Sequence, residues 1–184
     1  MDYEKYIKDA TRTESRIDEV LTSEEALKDA LQLFILSARI IDLYKRQIFY
    51  GKDFAGNQLA PMLAEINDIS GRNNRAGDKD VIAVNPRILH ATLGFATEAG
   101  EIMEALVDSM AGEDFDTINF MEELGDLNWY QAIAMDETGL KIEDILVRNI
   151  EKLKARFPDK FSEERAIERD LNHERQILEG SDEG

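Results

Sequence analysis

The chain has 184 residues and no cysteine, and its 39 acidic residues against 22 basic ones leave a formal charge of -17. That length suits one domain with a sizeable core, and the lack of thiols excludes disulfides, thiolate nucleophiles and zinc–thiolate sites while fitting a reducing cytoplasm. The charge argues against broad electrostatic binding to nucleic acid or an anionic membrane, although a metal held by carboxylates can still present a positive local field to a phosphate.

Few prolines, few alternating β-branched runs and recurrent 3.6-residue periodicity predict an all-α helical bundle of about six or seven helices. Met1 to Lys8 is charged and lacks the apolar centre of a signal peptide, and no apolar stretch approaches the length of a membrane span, so a soluble, cytoplasmic protein is expected. Asp2 to Val20 reads as one helix or a pair of short ones, and Thr22-x-x-Glu25 as a capping box opening the next. That second helix runs through Leu27, Leu31, Phe34, Ile35, Ala38, Ile41 and Tyr44 towards Gly51, an apolar stripe that reads as core. Lys45 to Phe54 mixes cations and aromatics and reads as a helix end packed on that core. A shorter helix is predicted over Gln58 to Ile66, then an exposed polar loop from Ser70 to Asp80.

Pro86 suits the first turn of a helix that ends near Gly112, and Asp116 or Thr117 suits the cap of its successor, which ends before Gly139. A further helix buries Ile142, Ile145, Leu146, Ile150, Leu153 and Phe157 and stops near Pro158; Ser162 caps a last helix to about Leu178, followed by a frayed tail. The expected organisation is a single domain over 1–184: N-terminal helices and a loop (1–85), the helices that carry the chemistry (86–178) and the tail (179–184).

Two acidic clusters interrupt apolar sequence on the expected hairpin: Thr97-Glu98-Ala99-Gly100-Glu101 and Glu122-Glu123-Leu124-Gly125-Asp126. Glu98 and Glu101 stand at i and i+3, as do Glu123 and Asp126, so each pair shares one helix face and four carboxylates can converge. Unpaired burial of such a set costs several kcal/mol, roughly, and calls for a cation; an all-oxygen donor set suits a hard ion such as Mg²⁺. The plain alternative is a solvated acidic face. Against it, Leu93, Phe95, Ile102, Met103 and Leu106 surround the first pair, and Phe120, Met121, Leu124, Leu127 and Trp129 the second. Gly100 and Gly125 each cost a helix about 1 kcal/mol relative to alanine, which predicts close helix approach at both. Downstream, Asn149, Lys152 and Arg156 follow i, i+3, i+7 spacing and could meet phosphate, the alternative being ordinary surface cations. His90 and His173 have no partner at metal-ligand spacing and read as structural. The P-loop, nucleophile-elbow and dinucleotide-binding glycine motifs are all absent.

The pairing of ATEAGEIMEAL with FMEELGDLNWY resembles the MazG-like, all-α nucleoside triphosphate pyrophosphohydrolases, whose pattern is E-E-x-x-E, a spacer, then E-E-x-x-D. RNIEKLKARFPDKFSEERAIERDLNHERQIL is similar to the C-terminal part of short members, particularly those of bacteriophages, so the resemblance spans roughly Ile88 to Leu178. It implies hydrolysis of a (deoxy)nucleoside triphosphate to the monophosphate and pyrophosphate by a homo-oligomer. Glu98, Glu101, Glu123 and Asp126 would hold Mg²⁺, with Mn²⁺ as a substitute. It further implies that Asn149 and Lys152 contact phosphate, that Arg156 does so more weakly, and that Tyr130 lies near the nucleotide. Glu122, adjacent to the ligands, could orient or deprotonate water, the simpler alternative being an acid that only supports the ligands or faces solvent.

Two departures from the pattern stand out. Thr97 replaces the leading glutamate of the first motif, and a long segment separates Arg12–Ser15 from Ile88. Within that segment IIDLYKRQIFYGKDF resembles what short members carry after E-A-G-E, as a degenerate duplicate would. Leu27 to Phe54 could then supply helices that other members obtain from a second subunit. Thr97 and this segment motivate an alternative, a catalytically inactive acidic helical binding or oligomerisation module. A di-iron carboxylate bundle ranks last, because no histidine lies three residues after a motif acid.

Overall fold

The computed structural model describes residues 2–54, 56–72, 79–158 and 160–180. In chain order these form α1 (Tyr3–Ala10), a 3₁₀ turn (Thr11–Thr13), β1 (Val20–Thr22), α2 (Glu24–Tyr50), α3 (Gly56–Gly71), β2 (Asp80–Ile82), α4 (Pro86–Met110), α5 (Thr117–Thr138), α6 (Ile142–Arg156), α7 (Glu163–Ile167) and α8 (Leu171–Glu179). The fold is all-α, as expected, with one small addition. β1 and β2 pair antiparallel, Val20 opposite Ile82 and Thr22 opposite Asp80, a ribbon too short to leave a readable alternation in sequence. Among the described residues no helix is long and apolar enough to cross a membrane.

The chain divides into two compact units, 1–22 with 80–142, and 23–79 with 143–184. In the first, α4 and α5 form an antiparallel hairpin against which α1 packs. Pro86 occupies the first turn of α4 behind Asn85, whose side chain accepts from the backbone N–H groups of Arg87 and Ile88 at 2.9 and 3.1 Å. Asp116 caps α5 in the same manner, and Gly139 ends it in the left-handed region at φ 69°. Ala91, Ala132, Ile133 and Met135 are buried in this unit. The Arg87 guanidinium ties the open end of the hairpin together, reaching Glu14 at 2.7 Å, Asp136 at 2.7 Å and Glu137 at 2.8 Å. The Trp129 indole N–H donates to the Ala10 carbonyl at 3.1 Å and to the Thr13 hydroxyl at 2.9 Å, fixing α1 and the 3₁₀ turn on α5.

The first helix is shorter than the reading of Asp2 to Val20 because Glu14 leaves helical geometry to meet Arg87. Thr22 belongs to β1, and the cap of α2 is Ser23, whose hydroxyl accepts from the Ala26 N–H at 3.3 Å.

In the second unit, α2 ends at Gly51 as expected, in the left-handed region at φ 60°. Its stripe is not core: Phe34, Ile35, Ile41 and Tyr44 are exposed, and so are Ile48 and Phe49 near the helix end. Leu36 is the fully buried residue of α2. The helix that packs on it, α3, covers the Leu33 and Leu36 side, and a single helix can cover only one side of a 27-residue partner. α3 is longer than Gln58 to Ile66, since one more turn buries Ile69 and lets Arg72 pair with Asp68 at 2.7 Å and Asp29 at 2.9 Å. Positions 73–78 of the expected Ser70–Asp80 loop, and 181–184 of the tail, lie outside the described residues.

α6 spans the expected stretch, but Leu146 and Ile150 of its apolar face are exposed. The last helix is two. Ser162 caps the short α7, the chain breaks at Glu168–Asp170, and Asp170 caps α8 through the His173 N–H at 3.0 Å. The break brings Arg169 and Arg156 onto the buried Glu174, at 2.5 Å each.

Candidate metal and nucleotide site

The antiparallel α4–α5 hairpin presents the two acidic clusters to each other. One carboxylate oxygen each from Glu98, Glu123 and Asp126 lies within 4.8 Å of the others. Glu98 and Glu123 are 7% and 4% exposed, while Asp126 faces solvent, so the group is buried on one side and open on the other. Glu101 and Glu122 are exposed; both act electrostatically on Glu123, but neither belongs to the close trio.

Among the described residues, no lysine or arginine pairs with any of the three. The contrast with Glu174 is informative. Hydrogen bonds from Arg169 and Arg156 hold that buried carboxyl down at about 2. For Glu123 the charged groups that act on it are all carboxylates. Burial, then the hydrogen bond with Glu98, then the charges of Glu101, Glu98 and Glu122 push it up to about 7. The donor set therefore fits a hard divalent cation: three carboxylate oxygens at ligand spacing, two of them desolvated, with no ion pair to a cation among the described residues.

Gly100 and Gly125 do not mark close helix approach, because a Cβ on either would meet nothing within 4 Å. The close approach is at Gly94, one turn before Glu98, where a Cβ would collide with Cδ1, Cε1 and Cζ of Tyr130. Tyr130 thus lies flat on α4 and packs against His90 (5.5 Å between ring centres) and Trp129 (4.8 Å). Burial, then the charges of Glu98, Asp126 and Glu101, raise the pKa of its hydroxyl above the ordinary tyrosine value. His90 is structural, as expected, an aromatic partner of Trp129 and Tyr130. Thr97 is exposed, and its hydroxyl lies 2.9 Å from the Gly94 carbonyl and 3.2 Å from Glu98 Oε1, so it can support that ligand without adding a charge.

On α6, Asn149 is exposed and Lys152 half-buried, whereas Arg156 is committed to Glu174 through two hydrogen bonds of 2.8 and 2.5 Å. Sequence reasoning missed two aromatic residues near the acids. Tyr6 lies close enough to Asp126 for that carboxylate, after burial, to raise the pKa of its hydroxyl, and Tyr3 stacks beside it with ring centres 5.6 Å apart. Their i, i+3 spacing on α1 was the available signal.

The family model of the MazG nucleotide pyrophosphohydrolase domain matches residues 89–161. The matched stretch holds all five motif acids, most of the α4–α5 hairpin and α6, so the similarity falls on the candidate site. No curated protein and no solved structure matches the chain.

Proposed function

We propose that the chain hydrolyses a nucleoside or deoxynucleoside triphosphate between the α and β phosphates, releasing the monophosphate and pyrophosphate, with Mg²⁺ as cofactor and Mn²⁺ as a substitute. The observation that carries this is the trio Glu98, Glu123 and Asp126, unpaired with any lysine or arginine among the described residues and lying inside the matched stretch. When bound, Mg²⁺ would supply positive charge to the phosphate oxygens and lower the pKa of water. The protein's part is to hold three oxygens in place from two rigid helices, with Glu101 able to join as a fourth ligand from its exposed position. Glu122 accepts a hydrogen bond or a proton from the attacking water. Asn149 and Lys152, within the matched residues, contact phosphate in this reading, and Tyr130 backs the nucleotide site. Arg156 is left out because Glu174 takes its guanidinium.

The working form in this reading is a cytoplasmic homo-oligomer in which residues 1–184 act as one domain. The turn end of the α4–α5 hairpin supports it by exposing Val107, Met110, Ile118 and Met121, a cluster of the kind that marks association surfaces.

The test is chromatography of products from a panel of canonical and modified NTPs and dNTPs, with Mg²⁺ and with EDTA. Monophosphate plus pyrophosphate only in the presence of metal is expected. Glu98→Gln and Asp126→Asn should keep the helical fold and lose at least about 100-fold in kcat, the scale for removing a group that stabilises transition-state charge. Lys152→Ala should lower kcat/KM. Diphosphate plus orthophosphate would overturn the cleavage position, and no product from any substrate would favour the inactive binding module.

A further inference from the structure

A cavity of about 270 Å³ lies on the α1 side of α5, lined by Asp2, Tyr3, Tyr6, Gly125 and Asn128, one residue from the metal-site acid Asp126. Three features of this cavity go beyond what docking α1 on α5 requires. Gly125 sits mid-helix, where glycine is unfavourable, yet a Cβ there would meet nothing within 4 Å, so packing does not require it. The Tyr3 and Tyr6 rings, 5.6 Å apart and tilted by 38°, form an aromatic wall that is only half-buried. Their hydroxyls are engaged at the edges, Tyr3 with Gln131 at 3.0 Å and Tyr6 with the Gly125 carbonyl at 3.4 Å, which holds the rings in place over the opening. Asn128 commits its amide N–H to the Leu124 carbonyl at 2.6 Å and leaves its side-chain oxygen as an acceptor.

We propose that this cavity receives the base of the nucleotide, with Tyr6 and Tyr3 as the stacking wall, Gly125 as the floor left bare to admit the ring, and Asn128 Oδ1 as an acceptor for a base N–H. The inference rests on the nucleotide reading given above and deepens it, naming the residues that set base preference. The cavity is open to solvent on one side, with Asp2, Gly125 and Asn128 exposed, which suits a ring system whose sugar and phosphates lie outside. Aromatic walls serve bases well because every base offers a π-face, and a lone acceptor favours bases with a donor on the matching edge.

Gly125→Ala separates this role from a structural one. Alanine should raise Tm by about 2–4 °C, since it favours the helix and meets no neighbour. If the cavity holds a base, the same methyl group obstructs it. Isothermal titration of the full chain with Mg²⁺ and a panel of nucleoside monophosphates, and in parallel with Mg²⁺ and inorganic pyrophosphate, reads both effects. Gly125→Ala should weaken the preferred monophosphate by about 10-fold, and Tyr6→Leu by roughly 5-fold to 150-fold, the range for losing one base stack. Pyrophosphate binding should stay unchanged in both variants. Unchanged monophosphate affinity in folded Gly125→Ala and Tyr6→Leu would overturn the base pocket, as would an equal loss for monophosphate and pyrophosphate. Parent protein that binds pyrophosphate but no monophosphate would overturn the pocket alone; parent that binds neither would overturn the nucleotide reading and the pocket with it.

Discussion

Gly94→Ala is the sharpest probe of how the α4–α5 hairpin is assembled. A methyl group at this position would overlap three atoms of the Tyr130 ring by more than about 1 Å, where ordinary carbon contacts sit at about 3.5–4.0 Å. The ring must move by more than about 1 Å or the helices must separate. Neither is easy: Tyr130 is wedged beside His90 and Trp129, and Ala91 and Ala132, 1% and 0% exposed, lie in the neighbouring turns of the same buried seam. Overpacking of this kind costs about 1–3 kcal/mol, occasionally more, and alanine returns up to about 1 kcal/mol through helix propensity. A net loss of about 1–2 kcal/mol is expected, read as a lower urea midpoint at unchanged m. Tyr130→Ala should remove the collision, so Gly94→Ala should be neutral or stabilising in that background, and the double-mutant cycle should return a coupling of at least about 1 kcal/mol. Gly94→Ala as stable as the parent, or the same loss with and without Tyr130, would refute the close approach.

Glu174 should govern acid stability in the second unit. Its carboxyl is held at about 2 by Arg169 and Arg156, below the unfolded value, so its contribution is complete above about pH 4.5 and is lost as pH falls towards 2. Glu174→Gln should cost about 2–3 kcal/mol at pH 6, below the roughly 3–5 kcal/mol for breaking a fully buried ion pair because the Arg169 side chain is 41% exposed. The gap between parent and variant in chemical denaturation should narrow below about pH 4.5 and close only below about pH 2; a constant gap would show that the carboxylate charge is irrelevant. Glu123 has the opposite sign. Its pKa is raised to about 7, so without metal the stability it contributes is complete below about pH 4.5 and is lost as pH rises through 7. A divalent cation replaces the proton, so the Tm gain on adding Mg²⁺ should be larger at pH 8 than at pH 5.5; an equal gain at both would exclude the trio as the binding site.

The places where sequence reading succeeded are those where chemistry is local. Asn85-Pro86, Asp116 and Gly139 marked helix ends because an Asx cap, a fixed proline φ and a left-handed glycine each act within one turn. The acid pairs were legible because i, i+3 spacing puts two carboxylates on one helix face whatever lies opposite. Thr22 misled because Ser23 beside it is an equally good cap, and pairing with Asp80, far along the chain, drew Thr22 into a strand. The Glu168–Asp170 break was invisible because its compensation is the Glu174 ion cluster, a tertiary interaction.

By itself, then, the sequence determined an all-α chain, the hairpin and the two helix faces that carry acid pairs, since periodicity and capping are properties of the chain within a few residues. Only the tertiary structure decided which acids meet, namely Glu98, Glu123 and Asp126 with Glu101 outside the trio. It also decided that Gly94 is the contact glycine and that Gly100 and Gly125 are bare, and that Phe34 and Ile41 of α2 stay exposed while Leu36 is buried. The physical reason is common to all three. Helical spacing states which residues share a face, but the axial register and rotation of two packed helices determine which faces touch, and these come from contacts between residues distant in the chain.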